Sequence, residues 1–139
     1  MTPRLALAII AVVCSMAAQQ SNPLYGRWKV TAVRGASPVT AMSGSAAGRL
    51  VGRFLILSPK KTQFAGQTCN PTYDNSQEGA PEFVQDYKID LVTLKLPDPV
   101  TRFDAGCTDV FVLGPDNITF TWDGYFLDAT KVHAKVRDK

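Results

Sequence analysis

The chain has 139 residues, 45% of them hydrophobic and 19% charged, and a formal net charge of +3 at pH 7. That length holds one domain at most, and so mild a charge, carried by basic residues scattered along the chain, does not suit a nucleic-acid reader. One histidine and three cysteines leave little room for histidine-dependent or metal chemistry.

Residues 1–18 read as a secretory signal peptide. Arg4 precedes an apolar run from Leu5 to Val13, and Ser15, Ala17 and Ala18 supply the small residues of a cleavage site. Cleavage after Ala17 or after Ala18 removes the charge of Arg4, and 19–139 is read as a single domain. The run is shorter than the roughly 20 residues that span a bilayer, and no other stretch approaches that length. A lipoprotein cut before Cys14 would want a small residue where the bulky Val13 stands, so Cys14 reads as a discarded residue of the apolar run. Cys69 and Cys107 remain, and an isolated pair in an oxidising compartment is expected to form a disulfide.

Along the rest of the chain, 26–34 alternates, with Trp28, Val30 and Ala32 on one face and Arg27, Lys29 and Thr31 on the other, as a half-buried strand does. The Gly/Ala/Ser-rich stretch 35–48 leads to a short helix near 45–51, capped by Ser43 or Ser45. Residues 53–57 are apolar on both faces, as in a strand covered on two sides. Ser58-Pro59-Lys60-Lys61 turns the chain into a second hairpin, and its lysines are read as solvated. Residues 66–76 are loop or irregular strand. Residues 81–87 and 90–96 allow short helical pieces, the second ended by Pro97 and Pro99. Residues 100–105 return as a strand.

The stretch 107–132 organises the remainder. Asp123-Gly124 is a type I′ hairpin signature, because both central positions need positive φ. Trp122 then faces Tyr125, Phe120 faces Leu127 and Ile118 faces Ala129. Thr119, Thr121, Asp128 and Thr130 fall on the other side. A second turn through Gly114-Pro115-Asp116-Asn117 is expected to set Leu113 opposite Ile118 and Phe111 opposite Phe120. The resulting fold class is all-β with one or two short helices, a small antiparallel barrel of about seven or eight strands. A two-sheet sandwich is the structural rival.

Gly26-x-Trp28 at the start of the first strand, with a signal peptide before it and a β-meander after it, resembles the lipocalins and the wider calycin barrels. Small bacterial envelope proteins of the META type also open with such a strand and are a comparable resemblance. The calycin likeness implies a ligand inside the barrel or a partner on its loops. It also implies a basic side chain near the C-terminal strand, Lys135 or Arg137, lying over Trp28. It implies no catalytic residues.

The residues themselves carry no phosphate loop, metal-ligand cluster or dinucleotide fingerprint, and His133 sits in a polar tail away from any nucleophile motif. Asn117-Ile118-Thr119 matches a glycosylation sequon but begins a strand. Asp109, at the rim of an apolar surface, is read as a solvated barrel-end residue or a buried group paired with a base such as Arg27 or Arg102, or else as joining Trp122 and Tyr125 around a ligand at the barrel mouth. The functional expectation is a periplasmic or secreted, monomeric, non-enzymatic protein that holds a small apolar or amphipathic ligand and needs no cofactor or metal. The alternative is a protein-binding inhibitor or immunity protein acting on a secreted hydrolase through the loops 35–48 and 69–81.

Overall fold

The computed structural model describes residues 22–133. The segment 1–18, with Cys14, and the tail residues Lys135 and Arg137 lie outside them. The strands are β1 (Gly26–Ala36), β2 (Phe54–Leu57), β3 (Thr62–Phe64), β4 (Gln67–Cys69), β5 (Asn75–Glu78), β6 (Val100–Asp104), β7 (Asp109–Gly114), β8 (Asn117–Trp122) and β9 (Tyr125–Lys131). The helices are α1 (Gly44–Gly48), α2 (Ala80–Tyr87) and α3 (Leu91–Leu94). All nine strands form one antiparallel sheet in the order β4-β3-β2-β1-β9-β8-β7-β6-β5.

That sheet is a curled half-barrel of nine strands, so the expectation of seven or eight closing into a barrel is corrected. Strands β3 and β8 stand four places apart, about 19 Å if the sheet were flat. Yet the Phe64 ring lies 5.0 Å from that of Phe120 and 4.9 Å from that of Trp122, which only strong curling allows. The ladder does not join β4 to β5. A disulfide does the fastening instead, running from Cys69 at the end of β4 to Cys107 in the β6–β7 turn. The turn comes so close that a Cβ on Gly106 would lie 2.6 Å from the Asn70 carbonyl oxygen, and its φ of +89° also favours glycine. Strand β5 reads Asn-Ser-Gln-Glu, with no apolar alternation for a sequence reading to detect.

The Asp123-Gly124 turn has positive φ at both positions, and the pairs Trp122–Tyr125, Phe120–Leu127 and Ile118–Ala129 form as expected. The preceding hairpin does not adopt its expected register. It closes through Gly114 and Asn117 with a bulge between Val112 and Gly114, so Val112 faces Ile118 and Val110 faces Phe120. A one-residue slip moves every side chain to the other face. Phe111 and Leu113 therefore leave the inner core and point outward. A bulge in β1 between Val30 and Ala32 has the same effect, pairing Ala32 with Asp128 on the outer face. In β2 only Leu55 and Leu57 are buried, so that strand is covered on one side and not on two.

Two cores result. Inside the curl, Trp28, Val30, Leu55, Leu57, Phe64, Phe120, Trp122 and Leu127 pack together. Outside β7–β9, Phe111 and Phe126 pack under α2 and α3 against Phe83, Leu91 and Leu94. Ser43 caps α1 by accepting from the Ala46 amide, and Asp90 caps α3 by accepting from Thr93. Gly35 lets α3 approach, since a Cβ there would sit 2.6 Å from Leu94 Cδ2.

Candidate functional site

The inner core leaves one end unfilled. Before β1 the chain makes a turn over 22–25, closed by the Tyr25 amide donating to the Asn22 carbonyl at 3.0 Å. Trp28 Nε1 donates to the Leu24 carbonyl at 2.9 Å, and Lys131 Nζ donates to the Pro23 carbonyl at 2.7 Å. The ammonium lies 5.6 Å from the Trp28 ring centroid, within cation–π range. Lys131 stands over Trp28, whereas Lys135 and Arg137, of which such a contact was expected, lie outside the described residues. The lead-in is pinned across the end of the curl, and beneath it opens a cleft of about 280 Å³.

Its walls derive from parity. Trp28 faces inward from β1, Thr101 and Phe103 face inward from β6, and Val112 faces inward from β7, with Leu24 and Pro115 at the rim. Among the described residues no titratable group lines the cleft, so its chemistry there is contact with apolar surface plus the hydroxyl of Thr101. Val112 reaches it only because of the β7 bulge. The sequence reading, one residue out of phase there, had no means of finding Val112, and it treated Thr101 and Phe103 simply as strand.

The expected rim of Asp109, Trp122 and Tyr125 is not brought together. Trp122 and Tyr125 are 5% and 8% exposed, inside the core, and the Tyr125 hydroxyl donates to the Met42 carbonyl at 3.0 Å. Asp109 points the other way, into a polar cluster between α2 and the outer face of β5–β7. It accepts from the Tyr87 hydroxyl at 2.5 Å and lies 3.6 Å from Arg102 Nη1, one of the two basic partners expected. The other, Arg27, lies over the Phe54 ring, 4.3 Å from its centroid. Arg102 also pairs with Glu78 at 3.3 Å, and Glu78 Oε2 is left as a buried acceptor without a partner among the described residues. Burial first, then the hydrogen bond to Asp109 and its charge, push the Tyr87 hydroxyl far above the usual tyrosine range. It stays protonated as a donor, so the cluster ties α2 to the sheet.

Cys69 and Cys107 are paired as expected. His133 Nε2 lies 2.7 Å from Asp116 Oδ1 in an exposed pair. Among the described residues no group of three or more His, Cys, Asp or Glu is placed to hold a metal ion, and no helix is long and apolar enough to cross a membrane. No family model, curated protein or solved structure matches the chain.

Proposed function

We propose that this chain is a non-enzymatic binding protein of the cell envelope or exterior, holding a small apolar or amphipathic molecule in the cleft beside Trp28. The observation that carries this reading is an apolar opening at the end of an otherwise packed interior, walled by Trp28, Phe103 and Val112. Its volume of about 280 Å³ is at the low end for small-molecule sites, so the ligand is a ring system or a short chain. The lipocalin-like reading of Gly26-x-Trp28 is consistent with a lysine over the tryptophan, and the disulfide with an oxidising compartment.

Native mass spectrometry of protein purified from its own compartment, together with calorimetric titration of naphthalene and medium-chain alcohols, tests the proposal. A bound mass or saturable binding is expected, with a negative heat-capacity change, and Val112→Trp is expected to abolish it by filling the cleft. No bound mass and no saturable heat would overturn it.

A second reading, docking to a protein, is favoured by the strap before α1. The Ser37 and Ala41 amides donate to the Gly124 and Asp123 carbonyls, and the Ser37 hydroxyl donates to the Tyr87 carbonyl. Between these ties Val39 stands 83% exposed, a stiffly held apolar tip. A partner recovered with the native chain but not with Val39→Asp would shift the weight to this reading.

A further inference from the structure

The net charge conceals a division. Residues 22–73 contain seven basic residues and not one Asp or Glu, whereas residues 74–133 contain eleven acidic residues against four basic. The boundary falls between β4 and β5, so the first wing of the sheet, β1–β4 with α1, is wholly basic and the rest is acidic. Arg34 is the one basic residue of the first wing paired with a described carboxylate, Asp128, at 2.7 Å. Arg27, Lys29, Arg49, Arg53, Lys60 and Lys61 have no such partner among the described residues.

Among the described residues α3 reaches only the far end of β1, at Gly35, and no helix is packed on the outer face around Arg27, Lys29, Phe54 and Ile56. Register places Lys29 beside Phe54 and Arg27 beside Ile56, and Phe54 is 38% and nearby Val51 44% exposed. Arg27 lies over the Phe54 ring. Arg49 and Arg53 stand before β2, and Lys60 and Lys61 occupy the turn after it. Two open hollows flank Phe54, one of about 410 Å³ with Leu50 and Arg53 in its wall and one of about 240 Å³ with Ile56, Gln63 and Gln67 in its wall.

We propose that this face docks on an anionic lipid bilayer. Unpaired cations alternating with exposed apolar side chains complement a surface of phosphates above acyl chains. The face is the convex side of a curled sheet, with Arg27 and Lys29 of β1 on it and the other basic residues in the segments before and after β2. A fluid bilayer conforms to that shape, whereas a rigid acidic protein would need a matching concavity. The acidic remainder turns the molecule so that this wing meets the membrane. The proposal is independent of the cleft.

Vesicle co-sedimentation of the full chain tests it. Binding is expected to vesicles containing phosphatidylglycerol and not to pure phosphatidylcholine, and to weaken as salt rises toward about 0.5 M. Arg27→Gln with Lys29→Gln should weaken it about thirtyfold. Lys88→Gln with Lys95→Gln, the same change in net charge on the acidic half, should weaken it less than about twofold. Circular dichroism confirms that both variants are folded. Equal binding to the two vesicle types, or equal loss in the two variants, would overturn the proposal. So would retention on immobilised polyglutamate without vesicle binding, which would point to an acidic protein partner.

Discussion

The two wings of the sheet solve the same burial problem differently. In β2–β4 and the first half of β1 only the inner face is covered among the described residues: Leu55, Leu57 and Phe64 are buried while Phe54 is 38% exposed. In β7–β9 both faces are covered, so Val110 and Phe111, adjacent in sequence and opposite in direction, are each fully buried. The cause is the chain segment that lies between the wings. Strand β4 runs into a loop and a disulfide, whereas β5 leads straight into α2 and α3, whose Phe83, Leu91 and Leu94 close over Phe111 and Phe126. A bare outer face is free to carry charge and meet a partner. A covered one is committed to stability.

Substitutions on the two outer faces give the largest expected contrast. Phe126→Ala, under the helices, should cost about 3–5 kcal/mol, whereas Phe54→Ala should stay within about 1 kcal/mol. Urea titration measures both, and similar losses would erase the distinction between the wings. Replacing Cys69 and Cys107 together by alanine frees a closure of 38 residues and should cost about 4 kcal/mol on the chain-entropy model. Hydrogen exchange is expected to quicken first at β4 and at the β6–β7 turn, the two places the bridge joins. Uniform quickening would mean that the clasp acts on the whole sheet.

The smallest effect concerns Tyr87. Its folded pKa is raised, so the folded state holds its proton where the unfolded chain releases it. Its contribution is fully present below the ordinary tyrosine pKa of about 10 and is lost as pH climbs above it. Tyr87→Phe should cost about 1–2 kcal/mol at neutral pH and flatten the fall in melting temperature above pH of about 10. An unchanged alkaline fall would assign it to other groups.

How much of this was legible beforehand can be traced through particular residues. The Asp123-Gly124 turn, the strand at Gly26-x-Trp28, the short helix after Asp90 and the Cys69–Cys107 pairing were all readable, because each rests on backbone preferences or on a pair with no competitor. The bulges after Val30 and Val112 were not, since Val30-Thr31-Ala32 keeps a regular alternation and Phe111-Val112-Leu113 an unbroken apolar run through the slip. Strand β5 was not, because its polar residues lack alternation. The cleft was missed for the same reason as the bulge, and the basic wing because a net charge averages over acidic residues that all begin at Asp74.

The amino-acid order alone therefore determined a β-rich chain with a fixed final hairpin and a single sulfur bridge, since local φ preferences and period-two patterning act within a few residues. Only the tertiary structure decided which side of the sheet Phe111 serves, where the interior stays open and which outer face remains bare. Those outcomes depend on a one-residue slip between strands and on helices folding back over distant residues, and both are settled by packing between parts of the chain that no local pattern connects.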